Sequence, residues 1–559
     1  MKKKKTLSKT LLSSILGVTL LVPSVITYAT SPVEDKASKH NTRTQLNVSK
    51  IASFDTSLTD KDGGVAEIVK FNSDNKKFYL VNGKAQTIDI VNIDQMTRNT
   101  NQKFEKEKSI QIADAVNTDS FTYGDLTSID INTKKKVIVA AVQHKNYQKA
   151  GKIVVMNYNG EVQQTFETGV QPDMVKISED GRYILTADEG ELRRGLENGV
   201  DPEGSVTIID LKKGESRHLK FDDTGVIDDN VHIRNNGSKE DAVRDFEPEY
   251  IALSDDAKTA YVTLQENNAI ATIDVKKGNI LSVQSLGFKD HSKKGNELDA
   301  ARDGESNMTN LPILGAYMPD SVAHTTINGE SYLITANEGD ATEWEEFENV
   351  TDFGKMKDEI TLDHKRYKGT SKKKLQQLFD EMKGNPAYDK LEVLTDRGTD
   401  AIYTLGGRSF SIWKADTMEL VYDSGSDFEN ITAKQFPAHF NASNDDIEMD
   451  KRSAKKGPEP EDVKIGQIGD KTYAFIGLER IGGVMAYDIT NPKKSTFVNY
   501  TNTRDFSSQI AGDVSPEGLD FIPAHVSPTG LPLTLVGNEV SGTVSIHQME
   551  KKTLKENTE

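Results

Sequence analysis

The strongest constraint on this chain is that it repeats itself. A Pro-acid pair opens a short alternating apolar strand at Pro172-Asp173, Pro248-Glu249, Pro319-Asp320, Pro460-Glu461 and Pro516-Glu517. A turn follows each time, then a second apolar strand ending near an acid, then a third strand. The second strands close at Asp188-Glu189, Gln265-Glu266, Asn337-Glu338, Leu478-Glu479 and Asn538-Glu539. Weaker copies start earlier, at Ala66-Glu67 and Leu126-Thr127. Period-2 alternation bounded by turn residues is the pattern of antiparallel β-structure. A recurring unit of this kind buries its apolar face only against its neighbours.

These copies predict an all-β chain folded as a seven-bladed β-propeller of the YVTN/WD40-like type. A β-sandwich would use the same strands but gives no reason for the Pro-acid opening to recur. Closure of the ring is also predicted. Little chain remains after the last copy for an outer strand, whereas residues 46–54 alternate as a strand ahead of the first. Placing them in the last blade removes a free sheet edge, which would otherwise invite pairing with other chains. The fifth copy is interrupted by a polar stretch, residues 342–400, within which 372–382 has helical spacing, with Leu375 and Leu378 apolar. Compact domains rarely hold so long a loop without structure of its own, so a small helical insertion is expected. Other long connections cover 222–244, 289–311 and 436–457.

The N-terminus reads as an export signal: Lys2, Lys3, Lys4, Lys5 and Lys9, an apolar run over 11–26, then Thr27-Tyr28-Ala29 as a small-residue cleavage site. An uncleaved membrane anchor is the alternative, but the run is short for a bilayer span. The expected organisation is a signal peptide over 1–29, a flexible segment over 30–45, the propeller over 46–549 and a polar tail over 550–559. There is no cysteine, which excludes thiolate zinc sites, cysteine nucleophiles and a lipid-modified N-terminal Cys. The formal charge of −18 becomes −23 once residues 1–29 and their five lysines are removed. Such a surface repels nucleic acid and anionic membranes and attracts cations; simple solubility is the plainer reading. The expected partners are cations and a cell-envelope polymer or protein ligand, with no nucleic acid and no transmembrane span after cleavage.

The repeated acids concentrate that charge. A Pro-acid pair precedes the first strand of a hairpin and the second acid ends the next, so both lie at the same end. The first strand of a propeller blade is innermost. Glu67, Asp173, Glu249, Asp320, Glu461 and Glu517 should therefore ring one channel mouth, with Glu189, Glu266, Glu338, Glu479 and Glu539 beside them. Converging carboxylates must be protonated, paired with arginine or bridged by a cation. Arg193, Arg244, Arg408 and Arg480 are the basic candidates. Oxygen-only donors, without Cys and without HxH or HExxH spacing, favour a divalent Ca²⁺ or Mg²⁺ over zinc, with calcium expected. The alternative is that these acids cap turns and pair with arginines. Acid clusters over 299–305 and 444–450 and at Asp201-Pro202-Glu203 could be metal loops or solvated loops; none has EF-hand spacing. No Walker loop, GxSxG elbow or Ser-His-Asp spacing is present, so no catalytic residue is named.

Several strings resemble the choice-of-anchor I family. They are Pro248-Glu249-Tyr250-Ile251-Ala252-Leu253 with Thr263-Leu264-Gln265-Glu266-Asn267-Asn268-Ala269, Ile334-Thr335-Ala336-Asn337-Glu338-Gly339-Asp340, Gly407-Arg408-Ser409-Phe410-Ser411-Ile412-Trp413, Phe475-Ile476-Gly477-Leu478-Glu479-Arg480-Ile481-Gly482-Gly483-Val484 and Asn538-Glu539-Val540-Ser541-Gly542-Thr543-Val544. That family is similar to the mesenchyme-specific cell-surface glycoproteins associated with animal biomineralisation. The resemblance covers residues 46–549 and implies a secreted propeller-type domain carried on various anchors, with calcium handling by analogy. It also leaves open a metal-dependent phosphoesterase resembling calcium-dependent propeller phytases. Glu189, Glu266, Glu338 and Glu479 would then hold metal, and Arg408 or Arg480 would hold phosphate. A structural surface or adhesion protein is a third reading. The chain stops at 553–559 with no sorting motif or apolar tail, so release from the cell or non-covalent retention at the cell wall is expected.

Overall fold

The computed structural model describes residues 43–98, 101–192, 200–344 and 347–554. The expected signal peptide over 1–29, the segment 30–42, Arg193 and residues 555–559 lie outside them.

The alternating copies form antiparallel sheets. In the third, Pro172–Ile177, Tyr183–Asp188, Ser205–Asp210 and Glu215–Lys220 pair in that order. Its two central strands are almost wholly buried, whereas the outermost carries exposed charges, which protects an edge from pairing. Four-stranded sheets of this plan begin with the inner strands Val69–Asn72, Tyr123–Asn132, Pro172–Ile177, Pro248–Leu253, Val322–Ile327 and Pro460–Ile468; a five-stranded one begins with Pro516–Ile522. Each inner strand packs against the next in chain order, and the last packs against the first. The sheets therefore close into a ring, which is the architecture of a β-propeller.

Each junction between sheets has its own apolar filling. Tyr79 and Ile138 belong to the filling between the first and second sheets, Ile208 and Val262 to that between the third and fourth, and Phe410 and Ile476 to that between the fifth and sixth. Phe78 and Leu535 close the ring between first and last. The remaining junctions are filled in the same way. Acidic side chains clasp neighbouring backbones further along the inner strands. The amides of Ile177, Leu519 and Phe71 donate to Asp130 at 3.0 Å, Asp462 at 2.8 Å and Asp520 at 2.7 Å, each from the following sheet.

The N-terminal strand Arg43–Asp55 lies beside Thr543–Leu554 in the last sheet, as expected for residues 46–54. Gln102–Phe104 adds a parallel strand outside it. Closure demands close backbone approach: a Cβ on Gly518 or Gly537 would lie 2.6 or 2.5 Å from the Glu67 carbonyl oxygen.

The interruption of the fifth sheet contains the expected helix, Lys372–Lys383. Ser371 caps it, and Leu375, Leu378, Phe379 and Met382 are buried. The segment is more than a helix, however. Val350–Asp352 pairs with Glu392–Leu394, and Ile402–Thr404 runs parallel to Ile313–Ala316, which also pairs with Phe288–Asp290. The insertion and the preceding connection thus make one mixed lobe around Leu298, Ile313, Phe353, Phe379 and Leu391. Strands of three or four residues are too short to carry a period, so only the helix was visible in the sequence.

Candidate metal site at the axial mouth

The position of the repeated acids follows from strand pairing. Pro172 faces Asp188, Pro248 faces Leu264, Pro460 faces Leu478 and Pro516 faces Asn538. In all of these sheets the register shifts between the proline and the residue three further on. Proline has no N–H for the ladder, and an irregular register re-aims the side chains within it. The acid after the proline sits in that irregular stretch. Asp173, Glu249, Asp320, Glu461 and Glu517, from five sheets, line one axial cavity of about 50 Å³ together with Tyr250.

The acids ending the second strands join them. Carboxylate oxygens of Asp173, Glu189 and Glu249 lie within 4.8 Å of one another, as do those of Asp320, Glu338 and Glu461. Each trio combines both acids of one sheet with the inner acid of the next. A third group, Glu338, Glu459 and Glu479, meets the same limit. Glu539 accepts hydrogen bonds from the Gly64 amide at 3.0 Å and the Ser515 hydroxyl at 2.9 Å. Glu67 Oε2 is buried without a hydrogen-bond partner.

Electrostatics reflect this crowding. Burial, reinforced by neighbouring carboxylates, pushes Glu67, Glu249, Asp320, Glu461 and Glu517 well above the usual carboxylate range. Burial takes Glu266 up to about 8, with Asp340 adding to the rise. Glu479 is also pushed up to about 8 by burial, although Arg480 opposes it. Glu338 and Glu539 rise chiefly through burial. The sequence-predicted acids therefore occupy one network.

Basic groups flank one side of it. Arg480 pairs with Glu459 at 2.8 Å and Glu479 at 2.7 Å. Lys456 Nζ lies 2.6 Å from Glu338, 3.2 Å from Glu459 and 3.3 Å from Asp340. Arg452 Nε donates to Glu459 at 2.6 Å. Burial would raise the pKa of Glu459, but Arg452, Arg480 and Lys456 outweigh it and hold that carboxylate well below its usual value. A second, wider pocket of about 380 Å³ opens among Lys61, Asn444, Arg452, Arg480, Glu479 and Glu539.

Arg408 is placed differently from the expectation. It is 3% exposed and donates to Glu429 at 3.0 Å and to the carbonyls of Asp299, Ser453 and Lys455 at 2.7 Å each. It braces a loop core, and its backbone at φ 53° is in the left-handed region. Arg244 is exposed and pairs with Glu203 at 3.5 Å. The phosphate-holding role expected of Arg408 and Arg480 thus meets guanidinium groups already bound to carboxylates or carbonyls. The other acid clusters are held by protein donors: Asp299 accepts from the Asn307 amide at 2.8 Å, Asp450 from the Asp303 amide at 2.7 Å, and Asp201 from Arg234 at 2.9 Å.

Glu459, Lys456, Asp462 and Glu247, the last 3.5 Å from the buried Arg234 guanidinium, were missed by sequence reasoning. A signal did exist for two of them, because Glu247-Pro248-Glu249 and Glu459-Pro460-Glu461 place an acid on both sides of the proline.

Ring and mouth together define an acidic-mouthed β-propeller. Residues 67–492 match the choice-of-anchor I domain, and the chain belongs to that family. Gigasin-3a of Magallana gigas is 34% identical over 178 residues, a match covering 28% of this chain and 63% of gigasin-3a. The mesenchyme-specific cell surface glycoprotein of Strongylocentrotus purpuratus is 27% identical over 289 residues, covering 45% of this chain and 36% of that protein. The chain therefore spans less than two thirds of the length of either relative. Among solved structures, Kuenenia stuttgartiensis hydrazine synthase aligns over 88% of this chain and 97% of its own at a TM-score of 0.44 and 11% identity. The Cps50 (Swd1) β-propeller domain of Myceliophteria thermophila aligns over 87% of this chain and 96% of its own at 0.41 and 8%.

Proposed function

We propose that the protein is an extracellular or cell-surface β-propeller that binds divalent cations, calcium foremost, at its acidic axial mouth. The observation that carries this reading is the convergence of carboxylates from five sheets on one small cavity. Carboxylates that close cannot all ionise without a counter-charge, and hard oxygen donors match Ca²⁺. The surface location rests on the basic and apolar N-terminal segment and on similarity to a cell surface glycoprotein. A cell-envelope polymer or protein ligand would dock at the wider pocket, where Lys61, Arg452 and Arg480 stand beside Glu479 and Glu539.

Calcium titration of the chain lacking residues 1–29, followed by calorimetry, tests the reading. Saturable binding that is weakened in the combined Glu266→Gln, Glu338→Gln, Glu479→Gln variant supports it. No binding by the unaltered protein, or full affinity in the variant, removes the mouth as the cation site.

A further inference from the structure

We propose that one calcium ion is held at the junction of the fifth and sixth sheets by Asp320, Glu338 and Glu461, and that Lys456 tunes its affinity. This assignment rests on the cation-binding reading above and gives it an address.

The distances suit a single ion. One oxygen from each of the three carboxylates lies within 4.8 Å of the others. Ca–O bonds are about 2.3–2.6 Å, so ligands on opposite sides of one ion stand about that far apart. The three side chains come from different strands of two sheets: Asp320 precedes Val322–Ile327, Glu338 follows Glu330–Asn337, and Glu461 lies in Pro460–Ile468. Such an ion would cross-link the two sheets at the axis.

A second, independent observation points to a ligand. Glu461 is 9% exposed, and its Oε2 is buried with no hydrogen-bond partner. The same side chain lines the axial cavity of about 50 Å³ together with Asp320, and Glu338 lies just outside that lining, so the orphaned acceptor belongs to a residue shared by the cavity and the trio. Buried carboxylate oxygens left without donors are rare in folded proteins. The cavity also leaves room for a water molecule to complete the coordination shell.

The surroundings support the geometry. Gln265 Nε2 donates to Glu338 Oε2 at 2.8 Å and fixes that carboxylate, as outer-shell partners do at metal sites. Lys456 Nζ sits 2.6 Å from the other oxygen, Oε1. The protein's own cation thus competes with the metal for Glu338. The adjoining group of Glu338, Glu459 and Glu479 is taken up by Lys456, Arg452 and Arg480, and is not the ion site.

Terbium luminescence tests the assignment, because Tyr250 lines the same cavity and can sensitise a bound Tb³⁺. The chain lacking residues 1–29 is titrated with Tb³⁺, which is then displaced with Ca²⁺. The expected result is sensitised emission that calcium abolishes. Glu461→Gln should lower Ca²⁺ affinity about 10-fold or more, at least the loss that follows removal of an outer-shell partner. Glu517→Gln, which lines the cavity outside the trio, should change it far less. Asp320→Asn provides a second readout if Glu461→Gln fails to fold, as judged by circular dichroism. Calcium binding that is unchanged in both variants overturns this address while leaving the acidic mouth as a cation site. Absence of any calcium binding by the unaltered chain overturns both.

Discussion

Replacing Lys456 with methionine keeps most of the side-chain stem and deletes its charge. The side chain is 8% exposed, and its ammonium lies 2.6 Å from Glu338, 3.2 Å from Glu459 and 3.3 Å from Asp340. Burial works against that charge, but Asp340, Glu338 and Glu459 outweigh it and hold the pKa well above the ordinary lysine value. Removing one partner of a buried ion pair costs about 3–5 kcal/mol. Glu459 keeps Arg452 and Arg480, and Glu338, whose pKa burial already raises, can take up a proton. The loss should therefore fall near the lower end, about 3 kcal/mol. Calcium then stabilises the variant more than the parent, because Glu338 is released to the ion. At 100 times the dissociation constant, binding contributes about 2.7 kcal/mol. Urea unfolding of both proteins, in chelator and in excess Ca²⁺, reads the difference. The variant should unfold at lower urea in chelator, and the gap should narrow in calcium. A variant as stable as the parent in chelator, or a gap that calcium leaves untouched, would refute the coupling between Lys456 and the ion.

Asp520→Ala removes the acceptor for the Phe71 amide at 2.7 Å, where the last sheet clasps the first. An unpaired buried donor costs about 1–3 kcal/mol, so the urea midpoint should drop while the slope is unchanged; a shift within error would show that the clasp is dispensable. Asp299 supplies a pH signature away from the mouth. Burial pushes its pKa up to about 7, with Glu429 and Asp450 adding to the rise and the Asn307 amide opposing it. A folded-state pKa above the unfolded value of about 3.9 means that the fold prefers the protonated acid. Its charged form therefore weakens the fold above pH 7, and stability is regained as pH falls through 7 toward 4. Asp299→Asn should flatten that part of the melting-temperature profile, and an identical profile in the variant would contradict the assignment.

The parts of the fold that could be read from the chain are those set by local pairing. A proline followed by an acid, opposite the end of the next strand, fixes a hairpin end. Repeating that device around a ring brings the acids to one mouth, as Pro172, Pro248, Pro460 and Pro516 do. What the chain concealed depends on loops folding back from far away. Lys456 reaches Glu338 across 118 positions, from a connection with no periodicity of its own. Arg408 follows Gly406-Gly407 and lies near the hairpin end in sequence, but its left-handed backbone turns the guanidinium into a loop core. Asn337 precedes Glu338, yet the two have opposite tasks. The asparagine is fully buried and bonded to Thr335 and Ser411 at 2.8 Å each, whereas the glutamate reaches the mouth. Both are simply polar residues at a strand end until the sheet is folded.

Crystallography can show directly whether the acidic mouth holds a cation. Crystals of the chain lacking residues 1–29, grown with Ca²⁺ or soaked in Tb³⁺, would be measured for anomalous scattering. A strong peak is expected on the axis, within coordination distance of Asp320, Glu338 and Glu461. A map at saturating metal with no peak in the mouth, or with peaks only among exposed surface acids, would contradict it.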